Sequence, residues 1–134
     1  DVLNTHLGLE RRERDLQVAT LLSADWLAHV ARADALVICG DFNSGPRSAV
    51  YRRLTADHLD VQTISRRARG TWPSVFPLVR LDHILTSGRA RPTACVVPND
   101  ALTRVASDHL PVVADLELAP RRAGNTDETY PDPP

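Results

Sequence analysis

Leu36-Val37-Ile38-Cys39-Gly40-Asp41-Phe42-Asn43 is a short apolar run that stops at a glycine and a carboxylate. Such a run reads as a buried strand, and strand alternation then points Asp41 and Asn43 to one side while Phe42 turns into the core. A carboxylate and a carboxamide side by side can orient one water and hold a hard cation close by. A second apparent strand end, Ser107-Asp108-His109-Leu110-Pro111, supplies another carboxylate and an imidazole. Together these groups are the equipment of metal-assisted phosphate ester hydrolysis.

Outward from this stretch, residues 1–6 read as a strand ending at His6, followed by a polar loop over 8–14. Leu16, Ala19, Leu22, Trp26, Leu27 and Val30 recur at three- and four-residue intervals and predict an amphipathic helix over 15–32. Ser44 is a candidate cap, with Gly45-Pro46 opening a short helix through about Leu54. Residues 56–64 read as irregular or a short strand, and 66–77 as a long loop holding Trp72. Strands are predicted over 80–86 and 93–97, a loop over 99–107, and a last strand over 110–118 with Pro111 near its start. One domain, residues 1–118, is therefore expected, followed by a charged, proline-rich and disordered tail over 119–134.

Four segments occur in order along this domain: Asn4-Thr5-His6-Leu7; Gly40-Asp41-Phe42-Asn43; Thr71-Trp72-Pro73-Ser74 with Arg80-Leu81-Asp82-His83-Ile84-Leu85; and Ser107-Asp108-His109-Leu110-Pro111-Val112. They resemble the strand-end histidine, the central acidic motif, the late strand with an embedded aspartate and the terminal signature of the endonuclease/exonuclease/phosphatase superfamily, the deoxyribonuclease I-like phosphohydrolases. Each motif alone is weak, and the four in order are strong.

The resemblance implies an α/β fold, a four-layer α/β sandwich in which two β-sheets pack face to face under outer helices, with about half of it present here. It also implies a divalent-metal-dependent phosphoester hydrolase, a phosphodiesterase more than a monoesterase, using Mg2+ or Mn2+. Asp108 is the candidate metal residue. Asp41 would orient or deprotonate the attacking water, and Asn43 would fix that water or a phosphate oxygen. His109 would contact the scissile phosphate or shuttle a proton, so the formal base stays open between Asp41 and His109. His6 would donate to a phosphate oxygen or to the leaving group. Asp82 lies in an apolar run where an unpaired carboxylate is costly to bury, and the resemblance names His109 as its partner. His83 points to the opposite face of that strand and falls outside the catalytic set. His29 and His58 read as surface residues, Arg66, Arg67 and Arg69 as a solvated loop, and Trp72 either as a stacking platform or as core. The family's N-terminal half carries an asparagine and a metal-binding glutamate that nothing here matches. The chain is therefore expected to be the C-terminal half of a longer protein and inactive alone. The alternative is a truncated, non-catalytic segment acting as an interaction domain.

Composition narrows the partners. A chain of 134 residues with 43% hydrophobic and 4% aromatic residues is one globular domain at most, and a half-fold would leave sheet surface uncovered. A net charge of −1 gives no general footprint for nucleic acid and tilts the substrate towards a small or lipid phosphodiester, with nucleic acid still open. Lysine is absent, so arginine supplies the cationic side chains; coding bias towards GC-rich codons explains that more simply than phosphate clamping. Cys39 and Cys95, without metal-ligand spacing, read as buried reduced thiols. No stretch is long enough to span a membrane, localisation is left open, and the complete protein is expected to be a monomer.

Overall fold

A computed structural model of the chain describes residues 1–23, 34–65 and 68–120. The second half of the predicted long helix, with Trp26, Leu27, His29 and Val30, lies outside the described residues, as do Arg66, Arg67 and the tail from residue 121.

Two β-sheets carry the fold. Strands β1 (Val2–Asn4), β2 (Ala35–Asp41), β3 (Leu59–Asp60) and β4 (Asp82–Gly88) form one sheet in the order β1-β2-β4-β3. β1 runs parallel to β2, while β4 is antiparallel to both of its neighbours. Strands β5 (Ala90–Val96) and β6 (Val113–Leu118) pair antiparallel as a second, two-stranded sheet. A parallel β1–β2 pair needs a crossover, and the chain between them includes helix α1 (Arg11–Leu21). Helix α2 (Ala49–Leu54) follows β2, and helix α3 (Ala101–Ala106) precedes β6.

Alternation along β2 buries Leu36 and Ile38 on one face and leaves Val37 and Cys39 half-buried on the other. The buried face meets Val18 of α1, Val50 and Leu54 of α2, Leu85 of β4, and Leu7 and Phe42 from the flanking loops. Burial of side chains of this size contributes about 1.5–3 kcal/mol each. Cys39 and Cys95 are free thiols, half-buried rather than fully enclosed. On the β5–β6 sheet, Val96, Val113, Leu116 and Leu118 stay exposed. No helix among the described residues is long and apolar enough to cross a membrane.

Several local expectations are corrected. The cap of α2 is Ser48, whose hydroxyl accepts from the Tyr51 amide at 3.0 Å, and not Ser44. A turn closed by the Ser48 amide on the Gly45 carbonyl at 2.9 Å delays the helix. Residues 99–107 are not all loop: Asp100 and Thr103 form a reciprocal capping box at the start of α3. β5 begins at Ala90, and the last strand begins only at Val113, after the buried Leu110. His58 is half-buried rather than on the surface, with Nδ1 2.8 Å from the Leu54 carbonyl at the end of α2.

Two features place the site. β1 ends at Asn4, yet the Thr5 amide donates to the Cys39 carbonyl at 3.0 Å and the Leu7 amide to that of Asp41 at 2.9 Å. This continued pairing brings His6 alongside the end of β2. It also needs Gly40, which sits at φ 136° and where an added Cβ would meet the Thr5 carbonyl oxygen at 1.8 Å. Across the sheet, Asp41 is directly opposite Asp82, so both side chains leave the same face at one edge.

Candidate active site

Asp41, Asn43, Asp82 and His109 come together at that edge, with His6 beside them. Beyond Asp41 the chain leaves the sheet through Asn43, which adopts φ 46°. Asparagine tolerates this left-handed conformation better than other non-glycine residues because its short polar side chain can bond locally. Here the Asn43 amide donates to Asp41 Oδ1 at 2.8 Å, and its Nδ2 donates to the Leu7 carbonyl at 2.7 Å and lies 3.2 Å from His6 Nε2. Both Asn43 amide protons are thus committed, and its Oδ1 has no hydrogen bond among the described residues.

His109 Nδ1 lies 2.8 Å from Asp82 Oδ2. A carboxylate only accepts, so Nδ1 carries the proton and Nε2 is left facing the site. That Nε2 is 3.9 Å from Asp41 Oδ2, too far for a direct hydrogen bond and suited to a bridging water or substrate oxygen. Burial works against a charged His109. The hydrogen bond and charge of Asp82, joined by the charges of Asp41 and Asp108, outweigh it and hold the imidazole above its ordinary 6.5. His6 is largely exposed, with Nε2 3.5 Å from Asp41 Oδ2.

A buried threonine ties these segments together. Thr71 Oγ1 accepts from the amides of Leu81 and Asp82 at 3.1 and 3.3 Å, and the Thr71 carbonyl accepts from the Leu110 amide at 2.8 Å. The Ser74 amide adds a bond to the Asp108 carbonyl at 2.7 Å. The segment 71–74 therefore fixes the strand of Asp82 against the loop of His109. The sequence marks Thr71-Trp72-Pro73-Ser74 as a motif, but nothing in it specifies this clamp. Trp72 itself is 40% exposed, so it is not core.

Asp41, Asp82 and His109 each offer one ligand atom within 4.8 Å of the others. Asp108 stands outside that trio as an exposed carboxylate next to His109. Oxygen donors of this kind fit a hard cation such as Mg2+, which takes few protein ligands and keeps several waters. His109 suits it less, because a hard cation prefers oxygen to an imidazole nitrogen.

The sequence and fold have relatives. Residues 3–109 match the Endonuclease/Exonuclease/phosphatase family. YbhP of Escherichia coli is 32% identical over 121 residues, covering 87% of this chain and 46% of that protein. A mannosyl-6-phosphatase of Bacteroides thetaiotaomicron superposes with a TM-score of 0.72 at 19% identity, over 87% of this chain and 51% of that one. The human Nocturnin catalytic domain superposes with a TM-score of 0.65 at 26% identity, over 87% and 46%. The chain spans about half the length of the relatives it matches, and its two sheets and flanking helices are about half of a deoxyribonuclease I-like α/β sandwich. The matched segment holds Asp41, Asn43, Asp82 and His109, and by it the chain belongs to the endonuclease/exonuclease/phosphatase family.

Proposed function

We propose that this chain carries the aspartate–histidine side of a divalent-metal-dependent phosphoester hydrolase site that cleaves phosphodiesters in preference to monoesters. The supporting observation is His109, gripped by Asp82 at 2.8 Å through Nδ1 with Nε2 turned towards Asp41 at 3.9 Å.

A phosphodiester repels nucleophiles by its own negative charge, so hydrolysis needs charge neutralisation, an oriented water and a stabilised leaving oxygen. We assign His109, whose imidazolium Asp82 and Asp41 help to stabilise, as donor through Nε2–H to a phosphate oxygen. That leaves Asp41 as the group that orients and deprotonates the water through Oδ2. Asn43 Oδ1, held in place by both amide protons, accepts from the same water. Asp82 keeps the His109 ring in one tautomer, as a second carboxylate does for other working histidines. His6, with Nε2 held by Asn43, serves the leaving-group side. Asp108, assisted by Asp41, is the residue we assign to Mg2+ or Mn2+, whose chemistry is to neutralise phosphate charge and stabilise the leaving oxygen. The remaining ligands come from outside this chain, which spans only half of its relatives, so the chain alone lacks turnover and the complete protein works as a monomer.

The net charge of −1 favours a small or lipid phosphodiester over nucleic acid. A second reading, a non-catalytic segment that works by docking, draws on the exposed Val96, Val113, Leu116 and Leu118.

Hydrolysis of bis(p-nitrophenyl) phosphate and p-nitrophenyl phosphate, with Mg2+, with Mn2+ and with chelator, separates these readings. It is measured on the chain alone and on the chain joined to the segment encoded upstream of it. Metal-dependent diester cleavage by the joined protein is expected. Preferential monoester cleavage would move the assignment to phosphatases, and no turnover by a folded joined protein would favour docking.

A further inference from the structure

Asp82 and His83 are neighbours on β4 and face opposite ways. His83 is 1% exposed, and its ring stacks on Phe42 with centroids 5.1 Å apart and lies 5.0 Å from the Tyr51 ring. Its Nε2 is 2.9 Å from the Ser44 carbonyl oxygen. A carbonyl cannot donate, so that nitrogen carries a proton.

The other edge of the ring meets a closed ionic cluster. Nδ1 is 3.3 Å from Arg80 Nη2 and 3.5 Å from Asp60 Oδ2. Asp60 already has its partners: the Tyr51 hydroxyl at 2.7 Å and the Arg80 guanidinium on Oδ2, and the Gln62 amide at 2.8 Å on Oδ1. With Oδ2 doubly engaged, Nδ1 is left to accept from Arg80. The cluster therefore fixes both the tautomer and the orientation of the ring.

The strand ladder explains why a histidine matters here. Pairing between β2 and β4 reaches Asp41 opposite Asp82, and the Phe42 amide donates once more, to the Leu81 carbonyl at 2.9 Å. Asn43 then swings into its left-handed conformation and the backbone ladder stops. The bond from His83 to Ser44 is the next tie between the same two segments. Asn43 thus hangs between two fixed points, one backbone and one imidazole.

We infer that His83 is a positioning residue of the proposed site: its Nε2–H anchors the Ser44 carbonyl and so holds Asp41 and Asn43 in the geometry that meets the substrate. The inference rests on the hydrolase reading for its purpose but not for its test.

Two-bond 15N–1H couplings on the labelled full chain report which ring nitrogen of His83 is protonated. A proton on Nε2 is expected, and an unprotonated Nε2 would overturn the inference without any variant being made. Amide exchange in His83→Phe, which keeps the ring stack and removes the donor, tests the consequence. Exchange at Phe42 and Asn43 should rise about tenfold, as for one lost hydrogen bond, while Ile38 and Leu85 stay protected. His83→Gln, which restores a donor, should recover most of the protection. A uniform rise along β2 and β4, or no change at Phe42 and Asn43, would reduce His83 to a core residue. In the joined protein, His83→Phe should lower kcat with KM nearly unchanged. Asp41→Asn tests the hydrolase reading separately: if it left hydrolysis intact, that reading would fall while the exchange pattern still decided the anchoring.

Discussion

Asp82 and His83, adjacent on β4, each belong to an aspartate–histidine cluster, and the two clusters end differently. On one face, His109 binds Asp82 through one nitrogen and leaves the other open, with Asp41 at 3.9 Å. On the other face, His83 has both nitrogens engaged, and Asp60 accepts from Tyr51, Arg80 and Gln62. Both use the same residue types. The saturated cluster is buried and fully bonded, while the half-open one keeps His109 Nε2 and Asp41 Oδ2 free of short hydrogen bonds. Burial acts on Asp60 by pushing its carboxyl up, yet the hydrogen bonds and the Arg80 charge that meet it in this cluster bring it below the usual carboxylate range. Leftover hydrogen-bonding capacity, more than residue identity, separates the two pairs.

Substitutions can break that contrast. His109→Ala should cost about 10²- to 10⁴-fold in diester hydrolysis by the joined protein, the scale of a lost acid–base group, with urea unfolding of the chain nearly unchanged. Comparable loss of stability would show that the half-open cluster is structural after all. Asp60→Ala should act first on stability. It strands the Arg80 charge in the interior and should destabilise the chain by about 3 kcal/mol in urea unfolding; a stability change within error would deny the saturated cluster its role. Asn43→Ala places an ordinary side chain at φ 46° and should cost about 1 kcal/mol, whereas Asn43→Gly should retain stability and still lose activity. If glycine kept activity, the carboxamide would be only a conformational device.

The smallest effect is on pH. His109 titrates above its unfolded value of 6.5, so the stability it gains from Asp82 is complete below 6.5 and is lost as pH rises through its own higher pKa. Thermal melts across that window should show a shallow decline that Asp82→Asn removes. A slope that persisted in the variant would assign it to another group.

Much of the site was legible because its residues lie in short motifs at strand ends. Gly40-Asp41-Phe42-Asn43 predicts a buried strand, an inward Phe42 and paired polar side chains, and Phe42 is fully buried. The burden of burying Asp82 pointed to a partner, and His109 is at 2.8 Å. What was not legible depends on separation in sequence. Tyr51, Asp60 and the Arg80–His83 stretch come from three separate segments that carry no common pattern, so only the fold shows them as one cluster. The error at Ser44 has a local cause: a cap residue before Gly-Pro is a fair helix signal, but a turn from Gly45 to Ser48 intervenes before Ser48 can cap. Helix α3 was missed because six residues are too few to show a helical period, and its Leu102 and Val105 face solvent rather than a core.

The most direct measurement is Mg2+-dependent cleavage of a chromogenic phosphodiester by the joined protein beside its Asp41→Asn variant, with the fold of each checked by circular dichroism. Turnover that depends on metal in the parent and vanishes in a folded variant is the predicted result. Equal turnover in the two proteins would contradict the assignment of Asp41, and with it the hydrolytic site built on this edge of the sheet.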